Sequence, residues 1–313
     1  MRFSARVTQD SSSRAAIVIP FDPDQAWGAK ANHPVSGTIR PATEAAGNRR
    51  LRGRVTPDGS RDSDFRPPER QRQHTTIMST SSEPYQLNHG TGPGVITPDG
   101  CAVEFYALVP PRQEPGIVHA AAPSPQASVL ELGAGTGRIA DALADLGHPV
   151  VAVDESPEML ARVRRAEPAC ATIQGLALDR RFDLVLLASH LINSPEESVR
   201  RAFMETCARH VADDGCVIIQ QHPPDWFSTV AEAQNESGGI TVRLRDLSRP
   251  GPGLVSATVE YQAGDRLWTH SFTAARLDEP ALHALLADAG LSFDRYLTDD
   301  HQWLRAVPAR SQR

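Results

Sequence analysis

Ser128-Val129-Leu130-Glu131-Leu132-Gly133-Ala134-Gly135-Thr136-Gly137-Arg138 is a short apolar run that breaks into three alternating glycines and then resumes with a different period. Residues 128–132 read as a strand, and Gly137 to Gly147 as an amphipathic helix closed by a C-terminal glycine. The alternation repeats downstream. Pro149 to Val153 reads as a second strand, followed by Ser156 as an N-cap, Pro157 at the first helical position, and Met159, Leu160 and Val163 at helical spacing. Ala171-Thr172-Ile173 reads as a weaker strand and Phe182 to Ala188, near-continuously apolar, as a buried central one. Ser194-Pro195-Glu196-Glu197 opens another capped helix, and Gly215 to Gln220 gives a fifth strand. Such alternation predicts a parallel α/β sheet. Beyond His222 the pattern changes: Ile240 to Leu244, Leu254 to Tyr261 and Arg266 to Phe272 read as antiparallel strands with polar alternation. A helix from Glu279 to Ala289 ends at Gly290, and strands near Phe293 to Leu297 and Trp303 to Val307 form an edge hairpin about Asp299-Asp300.

The glycines let the backbone turn sharply and approach a ligand closely at a helix N-terminus. The second strand ends in Asp154, 17 residues after Gly137, which suits a carboxylate accepting both hydroxyls of a ribose. A dinucleotide fingerprint runs G-x-G-x-x-G, whereas this chain has G-x-G-x-G followed by Arg138. Glu131 also places a negative charge beside the loop, which disfavours a pyrophosphate and suits a ligand bearing ammonium and sulfonium charges. That points to S-adenosylmethionine.

Taken together, Val129 to Arg138, Val153-Asp154-Glu155-Ser156-Pro157-Glu158-Met159-Leu160 and Phe182-Asp183-Leu184-Val185-Leu186 resemble the class I S-adenosylmethionine-dependent methyltransferases over roughly residues 84–313. The resemblance implies a Rossmann-like, seven-stranded, mostly parallel sheet with an antiparallel last strand, and it implies methyl transfer. By the same resemblance Glu131, Gly133 and Gly135 line the methionine end of the cofactor, with Ala134, Gly137 and Ala188 completing the binding set, and Asp154 and Glu155 lie at the ribose. Where the family often places an acid for the adenine amino group, this chain has Gln174-Gly175-Leu176, so Gln174 or backbone takes that contact. Thr91 to Cys101 and Glu104-Phe105-Tyr106 resemble the N-terminal lid of related small-molecule methyltransferases. There Tyr106 faces the sulfonium, an attraction of roughly 0.5–2 kcal/mol, or simply packs. The fourth strand delivers His190 to the reactive end, as a general base or as a loop-bracing hydrogen-bond partner. His222-Pro223-Pro224-Asp225-Trp226 walls the acceptor pocket or forms a stiff exit turn.

Three segments follow from composition. Residues 1–77 are rich in Arg, Ser, Pro, Gly and Asp and read as a poorly ordered extension. Within it, Ala15 to Phe21 and Val35 to Ile39 read as short strands in a stretch resembling the opening of a small β-barrel family of unknown function. Residues 78–126 read as the lid segment, and 127–313 as the catalytic domain with an insertion at 224–277. Deleting residues 1–77 is expected to leave folding and activity intact, as judged by thermal melting and turnover of the shortened chain.

The first 77 residues carry 13 Lys and Arg against 8 Asp and Glu (+5), and the remainder 19 against 30 (−11), giving the overall −6. An acidic body repels phosphate backbones, and Ser189-His190-Leu191-Ile192 is not the loop that grips a flipped base, so nucleic acid is not the expected partner. No apolar run approaches the roughly 20 residues that cross a bilayer, and no secretory h-region follows the opening charges. Cys101, Cys170, Cys207 and Cys216 lack metal-ligand spacing, and no metal is expected. The expectation is a cytoplasmic monomer or homodimer that methylates an oxygen or nitrogen of a small molecule. The rivals are a non-enzymatic cofactor-binding module and an NAD(P)-dependent oxidoreductase.

Overall fold

The computed structural model describes residues 88–309 and, as backbone, four strands nearer the N-terminus. The chain divides into two units, Met1–Ser79 and Thr80–Arg313. In the first, Arg6–Gln9 pairs antiparallel with Ala15–Val18, and His33–Ile39 with Arg49–Val55. The two strands read from the sequence there thus belong to separate pairs. The rest of the barrel-like stretch lies outside the described residues.

The second unit begins with β1 (His89–Thr91), α1 (Val103–Tyr106) and α2 (Glu114–Ala121). Then come β2 (Val129–Leu132), α3 (Ala140–Asp145), β3 (Val150–Asp154), α4 (Pro157–Leu160), β4 (Glu167–Cys170), β5 (Phe182–Leu187), α5 (Glu197–His210) and β6 (Val211–Gln220). After α6 (Trp226–Thr229) follow β7 (Ala233–Ser237), β8 (Ile240–Ser248), β9 (Leu254–Ala263), β10 (Arg266–Ala275), α7 (Glu279–Asp288), β11 (Leu291–Tyr296) and β12 (Trp303–Pro308).

Seven strands form one sheet in the order β11-β12-β6-β5-β2-β3-β4. The pairings from β6 to β4 are parallel and β12 runs antiparallel to both its neighbours, so the last strand has the orientation expected. Alternate residues of the central strands bury on opposite faces, as the two-residue pleat period requires. Leu130, Leu132, Val185, Leu187, Val217 and Ile219 pack with Phe203 and Met204 of α5 and Leu282 and Leu286 of α7. Val129, Ala152, Leu184, Leu186 and Ile218 pack on the other side with Val118 of α2 and Leu143 of α3. Both faces are covered, which is why β2, β3 and β5 read as nearly continuous apolar runs, interrupted only by Glu131, Asp154 and Asp183.

Three local expectations need correction. The third strand is Glu167–Cys170, not Ala171–Ile173: its last pair is Asp154 with Cys170, and Ile173 instead turns inward, its carbonyl accepting from Thr206 Oγ1 at 3.0 Å. Pro168 hid this strand in the sequence, since proline is tolerated only where a strand lies at a sheet edge, as β4 does. Helix α3 begins at Ala140, three residues after Gly137, and the intervening residues form turns. Helix α5 starts without a side-chain cap, whereas Ser156 caps α4 as expected, accepting from Met159 N at 3.1 Å.

The antiparallel region is a second sheet ordered β7-β8-β9-β10-β1. Its fifth strand comes from the lid: Thr91, Gly90 and His89 pair with Thr269, His270 and Ser271. Lid and insertion, far apart in sequence, are therefore one structural piece. Among the described residues no helix is long and apolar enough to cross a membrane.

Candidate active site

The loop after β2 is held open by its glycines. Gly133, Gly135 and Gly137 have φ of 71°, 56° and 80°, a region costly for side-chain-bearing residues. A Cβ on Gly133 would lie 2.7 Å from Leu191 Cδ1, whereas at Gly135 it would meet nothing within 4 Å. Space for a ligand therefore lies above Gly135. Buried Ala134 anchors the loop to β3 by donating its N–H to Val153 O at 2.8 Å.

Asp154, at the carboxyl end of β3, fixes the same loop. Its Oδ2 accepts from Gly135 N at 2.8 Å and its Oδ1 from Ser156 N at 2.9 Å. Burial nevertheless raises its pKa, against the pull of those N–H groups. Neighbouring Glu155 is exposed, and burial of part of its carboxyl, then the charges of Asp99 and Asp154, push its pKa up. Asp99 comes from the lid, so the lid places a third carboxylate near these two. Sequence spacing gives no hint of that meeting.

Glu131 is buried on the face of β2 that otherwise packs apolar side chains. Its Oε2 has no hydrogen-bond partner. Burial pushes its pKa up to about 8, and the charge of Arg138 opposes the rise only in part. Arg138 itself is committed to Glu114 of α2 at 2.7 Å. A buried acceptor without a donor is costly, so Glu131 Oε2 has the character of a group awaiting a cationic or N–H-bearing ligand.

The lid is tied down on both sides. Trp268 Nε1 donates to Pro93 O at 2.8 Å, and Thr136 Oγ1, within the glycine loop, donates to Tyr106 O at 3.2 Å. Tyr106 hydrogen-bonds Cys101, and Tyr261 of β9 hydrogen-bonds Tyr106 in turn; burial raises the pKa of all three groups, so they stay protonated. Phe105 stacks on Tyr261 with ring centroids 3.9 Å apart.

At the carboxyl end of β5, Ala188 is buried while Ser189 and His190 both take left-handed backbone, with φ of 55° and 59°. Non-glycine residues rarely adopt it, and such strain collects at functional sites. The His190 ring stacks on His222 (4.0 Å, 4°), which stacks on Trp226 (3.9 Å, 9°). Burial lowers the pKa of His190 to about 4, with Arg138 contributing, and that of His222 to about 2. Both rings are neutral at physiological pH. Asn193 braces this corner: its Oδ1 accepts from His222 N at 2.8 Å and its Nδ2 donates to Ala275 O at 3.0 Å. Gln302 reaches His190 Nε2 from the turn between β11 and β12. Neither Asn193 nor Gln302 stood out in the sequence, because nothing local marks contacts across 82 residues for the one and 112 for the other.

Of the adenine candidates, Gln174 and Gly175 are exposed and Leu176 is packed in the core beneath α5. Cys170, opposite Asp154 in the sheet, is the exposed residue that directly ends β4. Among the described residues no group of three His, Cys, Asp or Glu side chains is placed to hold a metal. A separate open groove of about 650 Å³, lined by Arg112, Ile117 and Arg295 among others, contains none of the glycine-loop residues, and the site follows the chemistry rather than that hollow.

A protein family described as "Methyltransferase domain" matches residues 129–215. An uncharacterised methyltransferase of Mycobacterium bovis is 38% identical over 94 residues, 28% of this chain and 39% of the relative. A dTDP-3-amino-3,6-dideoxy-alpha-D-glucopyranose N,N-dimethyltransferase of Streptomyces fradiae is 34% identical over 164 residues, 48% of this chain and 63% of that protein. The chain thus spans about two fifths to two thirds of the length of these relatives. The crystal structure of an S-adenosylmethionine-dependent methyltransferase from Clostridium acetobutylicum superposes with a TM-score of 0.54 at 16% identity, covering 66% of this chain and 95% of that one.

Proposed function

We infer that this chain, a class I S-adenosylmethionine-dependent methyltransferase by its motifs and its sheet, moves a methyl group from S-adenosylmethionine to a nitrogen of a small-molecule acceptor. The observation that carries the reading is one juxtaposition: an open glycine turn, a carboxylate clamping that turn, and a buried, unpartnered Glu131 Oε2 beneath it. These residues fit a ligand with a ribose at one end and positive charge at the other. Glu131, Gly133, Ala134, Gly135 and Gly137 hold the methionine end. Asp154 and Glu155 take the ribose. The adenine lies toward Cys170 and Gln174 at the end of β4, with Gly175 following, and Ala188 and Tyr106 bound the reactive centre.

When bound, S-adenosylmethionine supplies a methyl group already activated by the sulfonium. The chain's task is therefore to align the acceptor and exclude water. The lid does the second through the Tyr106 and Tyr261 pair. His190 meets the acceptor, and its weak basicity decides the atom. An imidazole lowered to a pKa of about 4 by burial is a weak base for an alcohol, whereas a neutral amine presents its lone pair without help. The aminosugar N,N-dimethyltransferase relative acts on a nitrogen, which supports the same reading. Free thiols at all four cysteines suit a cytoplasmic setting, and a monomer or homodimer suffices, since one chain supplies every residue named.

The test is calorimetric titration with S-adenosylmethionine, S-adenosylhomocysteine and NADH, then a turnover screen of small amines against matched alcohols. Binding of both adenosyl ligands and turnover of amines alone is expected. Binding of NADH in their place overturns the reading. His190→Ala is expected to lower kcat by about 100-fold or more with the cofactor Kd unchanged, in the range of removing one positioned side chain at a reacting centre.

A further inference from the structure

We propose that Gln302 is a positioning residue that fixes His190 as its Nδ1–H tautomer, making His190 a hydrogen-bond donor toward the acceptor and not a general base. The inference rests on His190 standing at the acceptor end of the site, as argued above.

Gln302 Nε2 lies 3.2 Å from His190 Nε2. A carboxamide nitrogen only donates, so the imidazole nitrogen facing it must accept, and the ring proton resides on Nδ1. Two restraints make this a device. The backbone that carries the donor is held in place: Gln302 N donates to Asp300 Oδ1 at 3.0 Å, Gln302 O accepts from Gln221 N at 2.8 Å, and Gln221 Nε2 donates to His301 O at 2.9 Å. The ring plane is held as well, because it lies nearly parallel to His222 at 4.0 Å and its backbone is set in the left-handed region. The charged or titratable groups acting on His190 are Arg138, whose charge opposes an imidazolium, and His222 in the stack. No carboxylate is hydrogen-bonded to the ring among the described residues, so nothing there favours a second proton. A part-buried neutral imidazole with its proton on Nδ1 holds an oxygen of the acceptor, leaving the amine lone pair free for the methyl group, and its Nε2 lone pair, occupied by Gln302, takes no proton.

Long-range ¹H–¹⁵N correlation spectra of the full-length protein labelled at histidine read the tautomer without cofactor or acceptor, with His190 assigned by its loss in His190→Gln. The expected spectrum has a protonated Nδ1 and a bare Nε2. Gln302→Leu is expected to give a mixture of tautomers. Gln302→Glu presents only acceptor oxygens and is expected to move the proton to Nε2 and raise the pH at which the ring titrates. In turnover, Gln302→Glu is expected to lower kcat at least tenfold with the KM for S-adenosylmethionine unchanged. A parent spectrum with the proton on Nε2 overturns the inference, as does a His190 signal unaltered in Gln302→Leu or an unchanged kcat in Gln302→Glu. Failure of the methyltransferase reading is separate, because it appears as absent cofactor binding whatever the tautomer.

Discussion

Asp154→Ala is expected to weaken binding of S-adenosylmethionine by about 100- to 1,000-fold, more than any other single change at the site. The carboxylate has two tasks that fail together. In the proposed cofactor pose it meets the ribose, and in the structure it ties Gly135 N and Ser156 N, at 2.8 and 2.9 Å, into one turn. Hydrogen bonds to a charged partner contribute about 1.5–3 kcal/mol each, and about 1.4 kcal/mol is a tenfold change in affinity. Losing the ribose contact and unlocking the loop therefore accounts for two to three orders of magnitude. Asp154→Asn keeps the shape and one acceptor oxygen and is expected to lose less. Calorimetry of both variants, with circular dichroism confirming their fold, is the check, and an unaltered Kd in Asp154→Ala would remove Asp154 from the cofactor site.

Glu131→Gln is expected to change how binding and stability respond to pH. With a folded pKa of about 8 against an ordinary 4.5, Glu131 is protonated in the folded protein and ionised in the unfolded chain across that interval. The unfolded state then binds one proton fewer, so the stability from this group is fully present below about pH 4.5. It falls by about 1.4 kcal/mol per pH unit as pH rises toward 8, beyond which no more is lost. The variant, with nothing to ionise, should show a flatter decline of its thermal midpoint over that window. Cofactor binding works in the opposite direction: a cation beside Glu131 favours the carboxylate and expels its proton. Titrations at pH 6.5 in two buffers of different ionisation enthalpy should show nearly one proton released by the parent and almost none by Glu131→Gln. Equal release from both would place the proton elsewhere.

The parallel half of the sheet was legible because both its faces are covered. Val129 to Leu132 and Phe182 to Leu187 bury alternate residues against helices on each side, so the sequence shows nearly continuous apolar runs, interrupted only by Glu131 and Asp183. The edge strand Glu167–Cys170 was not legible, since an edge tolerates Pro168 and exposed side chains. The site divides in the same way. Glycine spacing and Asp154 are local and could be read directly, whereas the partners of His190 arrive from β6 and from the β11–β12 turn. Nor does the sequence disclose that Glu131 Oε2 is left without a donor, because Arg138, the cation whose charge acts on it, is occupied by Glu114.

One consequence of the shared second sheet concerns synthesis. The lid strand is made early, but the strand it pairs with, joined by Thr91 Oγ1 and Thr269 Oγ1 at 2.7 Å, lies 178 residues later. At translation rates of about 5–20 residues per second, roughly 10–35 s pass before that partner exists. During this interval β2 to β6 have been made and their hydrophobic faces are free to collapse, while the lid has nothing to pair with. A ribosome stalled before Thr269 would thus carry a nascent chain with its glycine turn complete and its lid strand unpaired, and the second sheet closes over the lid only near the end of elongation.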